Sequence, residues 1–312
     1  MKIDVSFVMT VYNKEYYLPH VLKALLNQTG IRNAEYIFVD DVSTDRSVEI
    51  IREATKNIPN VTIQINEKNM GISPTENKAI MLAKGEYVRM LDSDDILPID
   101  STEKMLDLAK KHNADMVYGK FKKTGKKPQD ICNEHLSDDL KYKYYPDALE
   151  GVLSGSFVRM GQLIKRDILQ KSGGADERVF IQDESIPLRS AILAKGIIKI
   201  DEPAVLVPEE IGNFSGNKSQ LNNDRFLAYY FAIKDNPKIA QKYLKKMNIR
   251  AVSAYWKEAR KKTVIPCLTS AFWTYIATKF FKPMPCLKSL LKYKKSFDKI
   301  ENIRRTPRYH RD

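Results

Sequence analysis

The chain predicts an α/β fold: a mostly parallel, doubly wound sheet followed by a helical, basic C-terminal region. Three observations carry this expectation. Short apolar, β-branched runs alternate with segments of helical period up to Tyr118, the pattern of successive βα units. Several of these runs end in polar or acidic residues, as strands do where their carboxyl ends line a crevice. The composition, 43% hydrophobic and 29% charged over 312 residues, suits one large α/β domain with an appendage.

Residues 3–11 form the first strand pattern. Tyr17, Leu18, Val21, Leu22 and Leu25 then give 15–28 the spacing of an amphipathic helix. A second strand is expected at 35–39, and Asp45 can cap a helix over 46–55. The third strand is 61–65. The next helix, 73–83, has Pro74 just inside its start and Gly85 beyond its end, before a fourth strand at 86–91. A helix at 100–112 and a strand at 114–118 follow. From 120 to 145 the pattern dissolves into Lys, Asp, Pro and Asn, which predicts a long loop of lid-like length. Regular segments return at 158–168, 183–194 and 197–200. Beyond Leu221 the chain reads as helical, and 292–312 as a mobile tail.

Charge is unevenly distributed. The net formal charge is +13, yet residues 234–312 carry 21 Lys and Arg against 5 Asp and Glu, leaving 31 basic and 34 acidic residues before them. Such a C-terminal quarter suits an anionic surface, lipid or nucleic acid. Cys132, Cys267 and Cys286 lie far apart with no metal-ligand spacing, which predicts a reducing compartment and no disulfide framework. The N-terminus runs straight into a strand pattern, so no secretory signal is expected and the predicted location is cytoplasmic. His20, His112, His135 and His310 form no zinc spacing. The first strand lacks a G-x-G-x-x-G, the run at 119–127 has the wrong spacing for a phosphate loop, and no G-x-S-x-G elbow occurs.

The most informative run is Leu91-Asp92-Ser93-Asp94-Asp95, with three carboxylates in five residues at a strand end. Packed carboxylates repel, and a fold tolerates that most readily where a cation sits. Oxygen-only ligands suit Mg²⁺ or Mn²⁺, which usually also hold substrate phosphates. The run therefore predicts a metal-bridged diphosphate site; an acidic turn facing solvent is the alternative. Three more runs lie in register with it. Thr10-Val11-Tyr12-Asn13 closes the first strand, Asp40-Asp41-Val42-Ser43-Thr44-Asp45 closes the second, and Asn69 to Asn77, through Gly71, opens the helix before the fourth. A strand-end Asp can accept the N3–H of a uracil-like base. Polar groups and backbone amides near Asn13 and Gly71 can hold ribose and phosphate.

With these four runs, the chain resembles family 2 glycosyltransferases of the GT-A fold over residues 5–208. The resemblance implies a nucleotide-diphospho-sugar transferase: a metal-dependent, inverting enzyme moving a sugar from a nucleoside-diphosphate donor, a UDP-sugar, to a hydroxyl of a cell-surface glycan or lipid-linked saccharide. It implies that Asp41, with Asp40, contacts the base. Asp92 and Asp94 become the D-x-D pair, Asp94 binding Mn²⁺ or Mg²⁺ directly. Thr10, Tyr12, Asn13, Ser43, Asn69, Gly71 and Asn77 become further donor contacts. Gly173-Gly174-Ala175-Asp176-Glu177, followed by Gln182-Asp183-Glu184 and Arg189, looks like the family's acceptor-side segment, with Asp183 as catalytic base. Otherwise Asp183 merely caps the helix that follows. Residues 1–119 then form a nucleotide-sugar-binding half, 120–220 an acceptor-binding half, and 221–312 the basic helical region.

Three positions depart from the family pattern. Val42 stands where Gly is usual. Glu76 stands where relatives often carry Arg, so that a pyrophosphate contact is lost or passes to Lys78. Gln182 replaces a common Glu.

Residues 264–278 contain Phe272, Trp273 and Tyr275, no charge, and basic flanks. They are too few and too polar for a confident membrane span. Two readings stand: an interfacial segment on an anionic membrane, or a helical subdomain whose aromatics pack on the catalytic domain. The rival functions are a nucleotidyltransferase, which lacks the expected Gly-rich basic loop here, and a nucleic-acid binder using the basic tail, which the slightly acidic first three quarters disfavour.

Overall fold

The computed structural model describes residues 2–131, 134–155, 159–209 and 217–308. Cys132, Val158 and His310 fall outside them, as does part of the stretch before Lys218.

An eight-stranded sheet runs through the protein in the order β3-β2-β1-β4-β7-β5-β8-β6. Its strands are β1 (Val5–Val11), β2 (Ala34–Asp40), β3 (Val61–Ile65), β4 (Tyr87–Asp92), β5 (Met116–Lys123), β6 (Tyr142–Tyr145), β7 (Gln162–Lys165) and β8 (Ile197–Val207). The block β3-β2-β1-β4 is wholly parallel, and β5 pairs parallel to β8. β7 and β6 run antiparallel to their neighbours.

The central strands are buried on both faces, as crossover helices require. Along β1, Val5, Phe7, Met9 and Val11 face one core, and Val8 faces the other. Helix α1 (Leu18–Leu26) sets Leu18, Val21, Leu22 and Leu25 against the first face; α3 (Ile72–Leu82) sets Ala79 and Ile80 against the second. The crossovers through α1 and α3 thus land on opposite faces, which is the doubly wound arrangement. Each of these fully buried side chains stabilises the fold by about 1.5–3 kcal/mol. Helices α2 (Ser47–Thr55) and α4 (Ser101–His112) complete the first layer, and α5 (Ala148–Ser154), α6 (Arg166–Lys171) and α7 (Ser185–Leu193) the second.

The expected loop at 120–145 is corrected by the structure. β5 continues to Lys123 and β6 adds an edge strand, both paired with β8. β8 itself runs on through Asp201, Glu202 and Pro203, a turn-like stretch in sequence. The register shift around Lys120, opposite Pro203, absorbs the irregularity, because a bulge accommodates a residue that cannot donate to the ladder. Lys120, Lys122 and Lys123 are exposed, so composition hid the continuation of the strand past Tyr118.

The C-terminal helices are α8 (Lys218–Asp235), α9 (Gln241–Ala259), α10 (Ser270–Phe281) and α11 (Leu287–Asp298). Phe226, Phe231, Met247, Leu290 and Phe297 share one apolar core with the second face of the sheet. The mobile tail expected at 292–312 is therefore also corrected as far as residue 308. Tyr293 stacks on Tyr255 at 4.2 Å between ring centroids, Phe297 meets Phe226 at 5.3 Å, and Ile303 is buried. The Lys-rich outer face of α11 masked this aromatic stripe. Phe272 and Tyr275 pack on Trp256 of α9 at 5.5 and 5.9 Å, whereas Trp273 points outward.

Candidate functional site

Strand register assembles the first part of the site. Thr10 lies beside Asp92 across β1 and β4, and Val11 beside Asp40 across β1 and β2. The carboxyl ends of three adjacent parallel strands therefore converge, the usual place for a ligand in an open α/β sheet.

The loops after β1 and β2 are laced together. The Asn13 amide donates to Ser43 Oγ (2.9 Å), and the Thr44 amide donates to Asn13 Oδ1 (2.8 Å). The Glu15 amide donates to Asp45 Oδ2, and the Ser47 amide to Asp45 Oδ1, both at 3.0 Å. Asp45 thus braces the first turn of α2, as its sequence position suggested. Asp40, buried, accepts from the amide and hydroxyl of Ser43. Between them Val42 adopts φ 67°, a left-handed conformation that costs a β-branched residue about 1–2 kcal/mol. This is where the sequence departs from Gly.

Asp41 organises the next segment. Its oxygens accept from the amides of Met70 and Gly71 (2.8 Å each) and from Asn66 Nδ2 (2.9 Å), while Asn69 Nδ2 donates to its carbonyl (3.1 Å). Gly71, at φ 83°, would meet nothing within 4 Å if it carried a Cβ, so its torsion angle is what calls for glycine. Tyr12, half exposed, stands at the rim. Asn77 lies farther along α3. Its Nδ2 donates to the Ala175 carbonyl (3.0 Å) and Glu177 (3.1 Å), and its Oδ1 accepts from the Ala175 amide (2.8 Å). That amide ties α3 to the segment 173–177.

The acidic run is paired with cations. Lys14 Nζ contacts Asp94, and Arg159 Nη2 contacts Asp92. Arg159 Nη1 also donates to Glu76 Oε1 at 2.8 Å. Burial disfavours the charge on Arg159, but Asp92 and Glu76 outweigh it and hold the guanidinium firmly protonated. Burial pushes the Glu76 carboxyl up to about 7 in spite of Arg159, with Asp92 adding to the rise. Asp95 is raised well above the usual carboxylate range, first by burial and then by the charges of Asp92 and Asp94.

Asp183 faces the same charges. Burial lifts its carboxyl to about 6; Arg159 opposes this, and Glu184 and Asp92 add to it. No side-chain hydrogen bond caps α7, whose N-cap residue is Glu184. Gln182 positions the preceding loop: its Nε2 donates to Ser73 Oγ (2.7 Å) and to the carbonyls of Asp176 and Val179, and its Oε1 accepts from the Asp176 amide. Glu184 contacts Arg225 of α8.

Arg159, Lys14 and Arg225 were not picked out from sequence. The available signal was Glu76: a carboxylate where relatives carry Arg, within a buried helix start, demands a cation from elsewhere. Lys78 Nζ donates to Asn66 Oδ1 at 2.9 Å.

Among the described residues no group of three or more His, Cys, Asp or Glu forms a ready metal cage. The chemistry of the acidic run nevertheless fits a hard divalent ion. Asp92 and Asp94 offer only oxygen, their charges are crowded enough to draw two cationic side chains, and Asp95 Oδ2 is buried with no hydrogen-bond partner among the described residues. Mg²⁺-type ions commonly take one or two carboxylates and complete their shell with substrate phosphates and water.

Comparison with known proteins shows the family and the fold. The family model for glycosyl transferase family 2 matches residues 6–173. The chain is 30% identical over 207 residues to the putative glycosyltransferase EpsH of Bacillus subtilis, covering 64% of this chain and 59% of EpsH; it thus spans less than two thirds of that relative's length. Among solved structures, residues 1–349 of Staphylococcus aureus TarS, in complex with UDP-GlcNAc, superpose with a TM-score of 0.67 at 17% identity, covering 95% of this chain and 88% of that one. The mannosyltransferase PcManGT of Pyrobaculum calidifontis, in complex with GDP-Man and Mn²⁺, superposes with a TM-score of 0.58 at 17% identity, covering 96% and 89%. The fold is that of the GT-A glycosyltransferases, and the chain belongs to glycosyl transferase family 2.

Proposed function

We propose that the protein is a metal-dependent, inverting glycosyltransferase that moves a sugar from a nucleoside-diphosphate donor, a UDP-sugar, to a hydroxyl of a cell-surface glycan or lipid-linked saccharide. The observation that carries the proposal is Asp183. Its carboxyl, lifted by burial to about 6, lies in the electrostatic reach of the Arg159–Asp92 pair at the strand ends. A base of that strength is ionised at neutral pH, yet holds a proton better than an ordinary aspartate.

In this reading residues 1–119 hold the donor, 120–220 present the acceptor, and 221–312 form the basic helical region. Asp40 and Asp41 shape the base-binding loop, with Asn69 and Gly71 beside them, Asn77 farther along α3, and Thr10, Tyr12, Asn13 and Ser43 along the rim. Asp183 takes the proton from the acceptor hydroxyl as that oxygen attacks the anomeric carbon. The bond from that carbon to the diphosphate breaks, and attack opposite the leaving group inverts the centre. A divalent ion held by Asp94 and Asp92 would supply Lewis-acid stabilisation of the departing diphosphate. Arg159 orients Asp92, and Lys14 would leave Asp94 to make room for the ion.

The nucleotide sugars bound by TarS and PcManGT support the donor class. The spaced cysteines support a cytoplasmic location. The test is a thermal-shift screen of sugar nucleotides with and without Mn²⁺, followed by product analysis with the stabilising donor. Free nucleoside diphosphate and a glycoside of inverted configuration are expected. Release of pyrophosphate would identify a nucleotidyltransferase instead, and a donor shift unchanged by Mn²⁺ would remove the metal from the scheme.

A further inference from the structure

We infer that the outer face of α10, with the segments on either side of it, is a docking surface for an anionic lipid bilayer. This goes beyond the reading above and does not rest on it, because membrane binding is measured without donor or acceptor.

The first observation is exposure. Leu268, Trp273, Phe280 and Phe281 are 78, 61, 76 and 82% exposed. Soluble proteins scatter single apolar residues over their surfaces, but a cluster of large ones marks an interaction site. The cluster is not a packing failure, because α10 already spends its other side on Trp256 through Phe272 and Tyr275. Trp273, Phe280 and Phe281 stand seven and eight residues apart, close together on a helix of 3.6 residues per turn. Thr269 caps the helix start, accepting from the Phe272 amide, and Lys282 ends it at φ 45°. The element is therefore about 18 Å long, and among the described residues no helix is long and apolar enough to cross a membrane. A short helix with an aromatic outer stripe lies along an interface rather than through it.

The second observation is charge, and it selects the occupant. Between Ala259 and Phe297 the sequence has nine Lys and Arg and no Asp or Glu; Lys261 is taken up by Glu258 and Lys294 is buried, which leaves seven. A second copy of this chain would bring the same positive charge to the same face and be repelled. Nucleic acid would satisfy the lysines and leave Leu268, Phe280 and Phe281 in water. An anionic leaflet satisfies both, each cation near it contributing about five-fold in partition.

The third observation is orientation. Arg225 contacts Glu184, the neighbour of Asp183. Lys257 is close enough to Arg225, Arg260 and Lys279 that, after burial, their charges hold its amine below the ordinary lysine range. Lys279 lies 5.5 Å over the Tyr275 ring on α10. A row of cations thus leads from Glu184, beside Asp183, to the apolar stripe, and docking there would turn that end of the site toward the lipid.

The experiment is co-sedimentation of the full chain with phosphatidylcholine vesicles, with and without phosphatidylglycerol, at low and high salt. Binding to the anionic vesicles is expected, with Trp273 emission shifting to the blue, and F280S/F281S should lower the partition by about ten-fold or more at low salt. Both substituted side chains are exposed, so the variant keeps its circular dichroism; if it does not, the fluorescence shift of the parent decides. Equal partition of parent and a folded variant would overturn the inference, as would the absence of a blue shift. So would a concentration-dependent dimer that the double variant abolishes, since a second copy would then cover the face.

Discussion

Arg159 and Glu76 form a buried ion pair, 2.8 Å from Nη1 to Oε1, that joins residues 83 apart in sequence and braces Asp92 through the other guanidinium nitrogen. The positive charge arrives from the segment before β7, and α3 supplies the carboxylate. Glu76 Oε2 has no further hydrogen-bond partner among the described residues, so the pair depends on Arg159 alone. Arg159→Ala should therefore destabilise the protein by about 3–5 kcal/mol at neutral pH, read as a lower urea midpoint with an unchanged slope.

Val42 holds a backbone conformation suited to glycine. Val42→Gly releases about 1–2 kcal/mol of torsional cost and gives back about 0.5–1 kcal/mol in unfolded-chain entropy. A net gain of up to about 1.5 kcal/mol is expected, visible as a higher melting temperature. A lower one would mean that the valine packs better than its torsion angle costs.

Asp183 links activity and stability with opposite signs. Its folded carboxyl sits at about 6, above the ordinary aspartate value of 3.8. Below about pH 4 the group is protonated in both states. Between about 4 and 6 the native state binds more protons, so its contribution to stability falls as pH rises; above 6 the penalty is fully present. Asp183→Asn removes it. The variant should be more stable than the parent at pH 7–8 by about 1–2 kcal/mol, discounted for partial exposure, with the gain vanishing near pH 4. Transfer should disappear while donor affinity is kept. In the parent, kcat/KM should fall about ten-fold per pH unit below about 6.

Removing the ion tests the acidic run. Chelation, or Asp94→Ala, should abolish the donor-induced thermal shift while leaving the circular dichroism of the free protein unchanged. Asp94 is paired with Lys14 at a partly exposed position, and a pair of that kind contributes about 1 kcal/mol or less to the fold. Undiminished donor binding in the variant would sink the assignment.

Much of the first half was legible because its signals are local. Alternating apolar runs, Pro74 in the first turn of α3 and the polar strand ends need only short-range chemistry, and a mostly parallel sheet follows from them; its order β3-β2-β1-β4 does not. Arg89 shows the limit. It interrupts the apolar fourth strand, yet is fully buried, donating to the Ala204 carbonyl at 2.9 Å, with burial lowering its guanidinium to about 9. Nothing near it in sequence announces that partner. The continuation of the fifth strand past Tyr118 and the end of α11 from Lys292 were hidden for a related reason: lysines on their wet faces gave them the composition of loops, while their dry faces match residues remote in the chain.

By itself the sequence determined the α/β class, the order of the early elements and the residue types at the strand ends, because periodicity and turn chemistry act over a few residues. Only the tertiary structure decided which charges meet: Arg159 with Asp92 and Glu76, Lys14 with Asp94, Arg225 with Glu184. Coulomb interactions and desolvation depend on distance and burial, and a chain acquires both only when packing brings its distant parts together.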